Sequence, residues 1–244
     1  FTELVPTDAP LISLDRLSGL VSYDPALHQA TVRAGTRLAP LGEALAAIGQ
    51  AMPNLPDINK QSLAGALATG THGTGKTMQA LHGGVVAMRL VTPSGAVVTC
   101  SRDENPDLFH AARVGLGAFG IVTEVTLQNA PLSRVRKTTA VVETEQLLRQ
   151  WPALADRHRN VEFMVIPFSG RTLLITLDET EDDIVPRGPD RDSEGLMQLK
   201  LLRDLFEFAP ALRRRAATFF LDRAPVESAV DEGWKLLANE RPIR

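Results

Sequence analysis

The chain has 244 residues, of which 44% are hydrophobic, enough to bury a substantial core as one large domain or two modest ones. Its 26 basic and 29 acidic residues give a net charge of −3, and only 5% of the residues are aromatic. Both features argue against nucleic acid as a partner, because proteins that bind it usually carry a basic excess or aromatic stacking platforms. The single cysteine, Cys100, excludes an internal disulfide and a multi-cysteine zinc site, and no metal site is predicted.

Neither a membrane span nor a targeting leader is predicted. No apolar run approaches the roughly 20 residues that a helix needs to cross a bilayer. The chain starts at Phe1 and shows no leader, which would be a basic segment followed by an apolar one. Both ends of the sequence are interpreted as cuts within a longer chain. A cytoplasmic location is the default expectation.

The first half of the sequence alternates between short strands and helices. β-branched or alternating residues predict strands at 11–14, 29–34, 85–91, 97–101 and 121–128. Apolar residues at spacings of three and four predict a helix after Thr36, which we expect to cap it. Further helical turns are predicted at 62–69 and at 105–112, the latter with Asn105 as cap and Pro106 at the first helical position.

The pattern changes after Pro131, so a domain boundary is placed between residues 132 and 133. The elements predicted beyond it are a strand at 135–142, a helix at 144–157, strands at 161–166 and 172–177, a polar loop at 178–194 and a mostly helical stretch at 196–237. Three consecutive arginines, residues 213–215, lie among apolar residues of the last stretch. They are interpreted as the solvated basic face of a helix, which does not support membrane association. Hairpin-like strand pairs mixed with helices predict an α+β fold.

Two segments match the consensus of a nucleotide-binding motif, but their flanking elements are not those that the motif requires. Gly70–Thr77 reads G-x-x-x-x-G-K-T, the phosphate-binding P-loop, which needs a buried strand before it and a long helix after it. The segment before it has no β-branched residue, and Gly83-Gly84 follows too soon for a long helix. A P-loop nucleotide hydrolase is therefore kept only as an alternative. Residues 115–120 read G-x-G-x-x-G but lie between a helix and a strand, the reverse of a Rossmann NAD site.

The loop at 69–75, Thr-Gly-Thr-His-Gly-Thr-Gly, has a composition suited to binding a pyrophosphate. Its glycines let backbone amides approach a ligand, and its threonines supply hydroxyls. On the helix before it, Ala64 and Ala68 share one face and Gly65 and Thr69 the neighbouring one. A flat ligand and a closely packed sheet would fit that small-residue face equally well.

These segments resemble the signature of the sugar-1,4-lactone and alditol oxidases, the D-arabinono-1,4-lactone and L-gulonolactone oxidase type. That family belongs to the vanillyl-alcohol-oxidase superfamily, whose FAD-binding domain is of the PCMH type. The resemblance covers residues 1 to about 130 closely and is weaker from 135 to 244. The segments that carry it are 54–58, 61–66 and 68–75, with further matches at 12–15, 32–36, 41–45 and 115–125.

The resemblance implies a PCMH-type FAD-binding domain at 1–132, mainly its second subdomain, followed by an α+β substrate or cap domain at 133–244. It implies hydride transfer from a sugar lactone or polyol to FAD, with oxygen or another electron acceptor completing the cycle. In many relatives the FAD is covalently linked to a histidine, which here would lie upstream of Phe1. A non-catalytic protein of the same fold is the second alternative. The cofactor-binding residues implied are Asn54, Pro56, Asp57, Ile58, Ser62, Gly65, Ala66, Thr69, Gly70, Thr71, His72, Gly73, Thr74, Gly75, Gly120, Ile121 and Val122.

Ser62 is the one catalytic candidate within the chain. The resemblance places a serine or threonine near the flavin at this position, where it would orient the flavin or the substrate. The simpler interpretation is a helix N-cap, worth about 1 kcal/mol. His72 is interpreted as fixing the loop by hydrogen bonds, and for Lys76 a phosphate contact and a solvated side chain stay equally open.

Overall fold

The computed structural model describes residues 8, 11–188, 197, 200–201, 203–205 and 208–238. The chain divides into two compact units. Unit 1 comprises Phe1–Ile48, Lys60–Thr71 and His82–Asn129, and unit 2 comprises Gly49–Asn59, His72–Leu81 and Ala130–Arg244. Two short segments of the first half thus pack with the second unit. The assignment of 1–132 to the cofactor and of 133–244 to the substrate stays a prediction.

Strands and helices alternate along the chain in both units. The strands are β1 (Leu20–Asp24), β2 (Gln29–Arg33), β3 (Gln50–Ala51), β4 (Val85–Val91), β5 (Val97–Ser101), β6 (Ile121–Gln128), β7 (Ala130–Pro131), β8 (Arg134–Glu143), β9 (Asn160–Ile166), β10 (Arg171–Glu179) and β11 (Glu227–Glu232). The α-helices are α1 (Leu38–Ala46), α2 (Leu63–Ala68), α3 (Pro106–Ala112), α4 (Thr144–Arg157), α5 (Pro210–Leu221) and α6 (Gly233–Leu236), and Leu81–Gly84 forms a 3-10 turn. The predicted α+β fold is confirmed.

Unit 1 is built on a five-stranded sheet in the order β1-β2-β6-β4-β5, in which every neighbouring pair is antiparallel. The alternation of β2 buries Ala30 and Val32, as expected for a strand with one face in the core. The apolar stripe of α1 buries Leu38, Leu41 and Leu45. Burial of these side chains stabilises the unit by about 1.5–3 kcal/mol for each residue of this size.

Two local predictions for unit 1 are wrong, and a third is confirmed only in part. The N-cap of α1 is Arg37, because the Thr36 hydroxyl already donates to the Arg33 carbonyl at 2.7 Å and accepts the Gly19 amide at 2.8 Å. Asn105 is the N-cap residue of α3 with Pro106 at the start of the helix, as predicted, but its φ of 48° is left-handed and its side chain makes no cap hydrogen bond, since its amide donates to the Thr99 carbonyl at 2.8 Å. Residues 11–14 form no strand, since they pair with none of the strands that the structure describes.

Unit 2 is built on a four-stranded antiparallel sheet in the order β11-β8-β10-β9, accompanied by the short pair β3-β7. One face of the four-stranded sheet carries an apolar core that α6 closes. Its buried members are Val135, Ile175, Leu177, Ala229 and Leu236. This core face also carries the polar residues of the candidate site described below.

The prediction of a mostly helical stretch at 196–237 is wrong over β11. Its residues pair with β8 from Glu227↔Thr139 to Glu232↔Arg134, yet only Ala229 and Val230 are buried. β11 forms a strand because it pairs with β8, and its own β-propensity is weak. The sequence pattern therefore did not reveal it. The predicted polar loop begins after β10 at residue 180, and its part at 189–194 lies outside the described residues. Among the described helices, none combines the length and apolar character needed to cross a membrane.

Candidate functional site

An apolar groove of about 330 Å³ opens in unit 1 beside α2. α2 contributes Ala64, Gly65, Leu67 and Ala68, and residues 115–117 and 119–122 also line the groove. Gly65, Gly120, Ile121 and Val122, four of the predicted cofactor-binding residues, are therefore lining residues, whereas Ala66 is fully buried in the core. The small side chains of α2 leave its backbone accessible along the groove, as a flat ligand would require.

Part of the groove's lining comes from a strained turn at residues 115–120. Leu116 has a left-handed φ of 50° and is 77% exposed, and its amide donates to the Ala68 carbonyl at 3.2 Å. Gly117 and Gly120 also have positive φ, at 78° and 130°. Backbone of this kind clusters at binding sites because the surrounding structure must hold it in place.

Ser62 caps α2 by a direct hydrogen bond. Its φ and ψ are extended, and its hydroxyl accepts the Gly65 amide at 3.3 Å. Thr69 closes the other end, where its hydroxyl donates to the Gly65 carbonyl at 3.0 Å. The structural interpretation of Ser62 as an N-cap is thus confirmed, and its role toward a flavin stays a proposal.

We expect Ser62→Ala to lower the free energy of unfolding by about 1 kcal/mol, because the Gly65 amide loses its acceptor. Urea denaturation followed by circular dichroism measures this change. Ser62→Asp keeps a cap acceptor and is the matched control, with a loss well below that of alanine. Equal stability of the alanine variant and the unaltered protein would show that the cap contributes nothing.

The second half of the predicted loop, His72–Gly75, belongs to unit 2 and leaves its amides unused. Within the described residues, none of these four amides donates a hydrogen bond. The loop is held instead through the Thr74 carbonyl, which accepts from the side-chain amides of Asn54 at 3.0 Å and Asn160 at 2.6 Å. Four free amides in a fixed loop can bind anionic oxygens without a cationic side chain.

Asn160 anchors this loop to the sheet. It begins β9, is 1% exposed, and its side-chain NH₂ also donates to the side-chain oxygen Oδ1 of Asn54 at 3.3 Å. Neither loop glycine has room for a side chain. A Cβ on Gly73 would lie 2.3 Å from the Leu55 carbonyl oxygen, and one on Gly75 would lie 2.6 Å from that of Arg159.

We expect Asn160→Ala to destabilise the protein by roughly 1–3 kcal/mol, because Thr74 and Asn54 lose a buried donor. Asn160→Asp should be at least as damaging at neutral pH, since it turns the donor into a third acceptor among acceptors. Chemical denaturation of both variants measures the effect. Wild-type stability in the aspartate variant would contradict the donor role of Asn160.

A small pocket of about 110 Å³ lies beside the loop, wholly within unit 2. Asn160, Glu162 and Leu177 form its more buried part, and the exposed Asp57 and His72 lie at its rim. The His72 ring nitrogen Nδ1 lies 2.9 Å from the Gly73 carbonyl oxygen, as expected for a histidine that fixes the loop. Sequence reasoning missed Asn160 and Glu162, although two polar residues at alternate positions of an apolar strand were a usable signal.

The Glu162 carboxyl has an altered acidity in this pocket. Burial raises its pKa above the ordinary value of 4.5, Lys137 opposes the change, and Asp57 adds to it. The folded protein therefore holds this proton more tightly than the unfolded chain. The associated stabilisation is complete below the ordinary pKa and is lost as the pH rises through the higher folded-state value.

We accordingly expect Glu162→Gln to gain stability relative to the unaltered protein as the pH is raised from about 4 to about 8, because glutamine cannot ionise. Denaturation curves at several pH values give this difference. A constant difference across the range would contradict the raised pKa. Glu227→Gln, on the exposed edge strand β11, is the control with no such dependence expected.

The remaining candidates have ordinary structural roles. The exposed Lys76 forms an ion pair with Asp156. Cys100 is fully buried, and burial raises the pKa of its thiol. The P-loop alternative finds no support, since the helix α2 precedes Gly70 and no α-helix occurs at 76–80. Within the described residues, no group of three or more histidine, cysteine or acidic side chains could hold a metal ion.

Comparison with known proteins identifies a matching family model and several related proteins. A family model described as "FAD binding domain" matches residues 2–101. The D-arabinono-1,4-lactone oxidase of Yarrowia lipolytica is 35% identical over 184 residues, which are 74% of this chain and 35% of that protein. An L-gulono-1,4-lactone dehydrogenase of Mycobacterium tuberculosis is 30% identical over 100% of this chain and 57% of its own length. The chain is thus similar to sugar-lactone oxidases and dehydrogenases. It spans only about a third to somewhat over half of these relatives.

The fold of the chain is also that of a solved cholesterol oxidase structure. A variant of the cholesterol oxidase of Brevibacterium sterolicum superimposes with a TM-score of 0.67 at 17% identity, over 91% of this chain and 48% of that one. The prediction of a PCMH-type FAD-binding fold is confirmed. So is the predicted cofactor class, FAD, which the matching domain and the related flavoenzymes support.

The residues present fit FAD in each unit taken by itself. In unit 1 the groove combines apolar character with the small residues Ala64, Gly65 and Ala68, which suit a flat ring system. In unit 2 the four unbonded amides at 72–75 suit phosphate oxygens. The individual cofactor-binding residues stay proposals.

Proposed function

We propose that this chain is part of a sugar-lactone oxidase or dehydrogenase, and that it holds FAD and part of the substrate-binding surface for oxidation of a hydroxyl group of a sugar lactone. The observation that carries the proposal is the loop His72–Gly75. It keeps four backbone amides free of internal hydrogen bonds while Asn54 and Asn160 fix its position. The related lactone oxidases and dehydrogenases supply the substrate class.

The loop would hold the pyrophosphate of FAD by amide hydrogen bonds. A fixed set of donors needs no rearrangement when the anion arrives, so less of the binding energy is spent on ordering the loop. Thr69 and Thr71 lie at the preceding end of the loop, with their hydroxyls 3.4 Å apart. Thr69, Gly70 and Thr71, which belong to unit 1, are proposed separately as further cofactor contacts.

The groove of unit 1 would hold a flat, apolar part of the cofactor and exclude water from it. Ala64, Gly65 and Ala68 give close approach, and Ile121 and Val122 add apolar lining. Asn54, Pro56, Asp57 and Ile58 are proposed as further cofactor contacts in unit 2. Of these, Asn54 and Pro56 are buried and Asp57 is exposed.

Bound FAD supplies a two-electron acceptor for the hydride that leaves the substrate carbon. The chain's own contribution is to bind and orient. Ser62, at the N-terminus of α2, is proposed to orient flavin or substrate through its hydroxyl while its oxygen accepts the Gly65 amide. The names of the relatives include both an oxidase and a dehydrogenase, so oxygen and other electron acceptors are both to be tested.

The test is anaerobic reduction of the flavin absorbance band in the full-length protein. L-gulono-1,4-lactone and D-arabinono-1,4-lactone are added separately, and oxygen or a dye acceptor is then admitted to follow reoxidation. Bleaching by a lactone and recovery with an acceptor are the expected results. A flavin that binds but is not reduced by either lactone or by a polyol would favour the non-catalytic protein of the same fold. A protein that binds no FAD but hydrolyses ATP or GTP would favour the P-loop alternative.

A further inference from the structure

The residue between α4 and the loop anchor Asn160 is an arginine whose side chain reaches both segments of the candidate cofactor site in unit 2. We propose that Arg159 is a positioning residue for FAD. Its guanidinium sets the direction of the Asn160 side-chain amide, and through that amide it holds the backbone donors of the loop His72–Gly75 in place for phosphate oxygens. The inference rests on the proposed function and deepens it, and it concerns unit 2 alone.

The guanidinium of Arg159 is largely buried and donates a hydrogen bond from each of its three nitrogen atoms. Its side chain is 12% exposed. Nε donates to Glu179 Oε1 at 3.2 Å, Nη1 to the side-chain oxygen of Asn160, and Nη2 to the backbone carbonyl of Pro53. A guanidinium is planar and its donors have fixed directions, so three acceptors around its edge determine its position.

The backbone of Arg159 is fixed as well, by Asp178 of β10. One carboxylate oxygen of Asp178 accepts the Arg159 amide at 3.0 Å, and the other lies 2.6 Å from His158 Nδ1. On the other side, the Arg159 carbonyl oxygen lies 2.6 Å from the position that a Cβ on Gly75 would take. Arg159 is therefore anchored to the sheet and lies directly against the loop.

Arg159 determines which end of the Asn160 carboxamide faces the loop. A guanidinium can only donate, so the side-chain oxygen of Asn160 lies toward it. The NH₂ end then faces away and donates to the Thr74 carbonyl at 2.6 Å and to Asn54 Oδ1 at 3.3 Å. The reversed carboxamide would place its oxygen against these two acceptors, and acceptors that meet without a donor in a buried place are costly.

The same guanidinium joins the two chain segments for which cofactor contacts are proposed in unit 2. Through Asn160 it holds the loop 72–75, and through the Pro53 carbonyl it holds the start of the segment 54–58. Donors that are in place before an anion arrives lose less of the binding energy to ordering. Removal of the guanidinium should therefore weaken FAD binding more than an equal loss of stability elsewhere in the unit.

The experiment compares Arg159→Ala and Arg159→Lys with the unaltered full-length protein. Arg171→Ala is the matched control, because Arg171 of β10 has a side chain that is 23% exposed and bonds twice to a carboxylate, that of Asp222 at the end of α5. Quenching of FAD fluorescence gives the affinity, and urea denaturation gives the stability. The rate of trypsin cleavage after the exposed Lys76, followed by mass spectrometry without FAD, measures opening of the loop region independently of the cofactor.

For Arg159→Ala we expect FAD to bind about tenfold more weakly and cleavage after Lys76 to be several-fold faster. Arg171→Ala should change either quantity by less than about twofold, even where its loss of stability is similar. Arg159→Lys keeps the charge but offers its donors from a single atom, so its FAD affinity should lie between those of the unaltered protein and the alanine variant. It remains informative where Arg159→Ala fails to fold.

A further comparison tests the path through Asn160. In an Asn160→Ala background, replacing Arg159 should weaken FAD binding by less than about twofold more, because the amide that it orients is already absent. An undiminished effect in that background would overturn the inference. So would equal weakening of FAD binding in Arg159→Ala and Arg171→Ala, or an unchanged rate of cleavage after Lys76. Failure of the unaltered protein to bind FAD would instead count against the proposed function, and cleavage after Lys76 would then decide whether Arg159 positions the loop.

Discussion

Replacing Gly73 by alanine is expected to displace the His72–Gly75 loop and to weaken FAD binding by at least about tenfold. The added Cβ would lie 2.3 Å from the Leu55 carbonyl oxygen and 2.7 Å from the Asn54 side-chain oxygen. Neither atom can withdraw easily, because Leu55 and Asn54 are buried and Asn54 is hydrogen-bonded to the Thr74 carbonyl. Overpacking of this kind costs typically 1–3 kcal/mol, and contact with backbone atoms places this case at the upper end.

Two measurements on Gly73→Ala separate the loop from the fold. Urea denaturation gives the loss of stability, and quenching of FAD fluorescence on titration gives the affinity. Gly188→Ala is the matched control, because its φ lies outside the left-handed region and nothing lies within 4 Å of its Cβ position. A Gly73→Ala protein with ordinary stability and ordinary FAD affinity would contradict the placement of this loop.

Replacing Gly120 by alanine should have the largest effect on unit 1, a loss of about 3 kcal/mol or more. Its φ of 130° is strained for any residue with a Cβ, which contributes about 1 kcal/mol. The new Cβ would also lie 2.3 Å from the Val91 carbonyl oxygen. Val91 pairs with Ile121 where β6 begins, so the change disturbs the strand that lines the groove.

The control for Gly120→Ala is Gly95→Ala, in the turn between β4 and β5. Gly95 has a positive φ of 84° but nothing within 4 Å of its Cβ position, so it carries the strain without the contact. Denaturation of the two variants isolates the steric part as their difference. Equal losses of unfolding free energy in the two variants would show that the contact with the Val91 carbonyl oxygen does not affect stability.

Strong local patterns in the sequence were enough to predict many of the elements. The strands β4, β5 and β6 and the helix α4 begin and end at the predicted residues, because turn residues or a clear change of periodicity flank them. β11 was missed, since its charged sequence becomes a strand only by pairing with β8. The cap of α1 was misplaced by one residue, because the hydroxyl of Thr36 is used at the end of β2.

The candidate site was predictable where it consists of chain-local motifs. The glycine loop and the small-residue helix α2 can be recognised in the sequence, and the use of the unbonded amides at 72–75 for a cofactor stays a prediction. The roles of Asn160 and Glu162 could not be derived in the same way. Asn160 lies 86 residues from Thr74 in the chain, and only the folded sheet brings its amide to that carbonyl.

The most direct test of the FAD assignment is an absorbance spectrum of the purified full-length protein, recorded before and after acid precipitation. We expect a yellow protein with the flavin band. Colour that stays with the precipitate would establish a covalent link, as proposed for a histidine upstream of Phe1, and colour in the supernatant would establish FAD held without one. A colourless protein that gains no flavin band with added FAD would contradict the account.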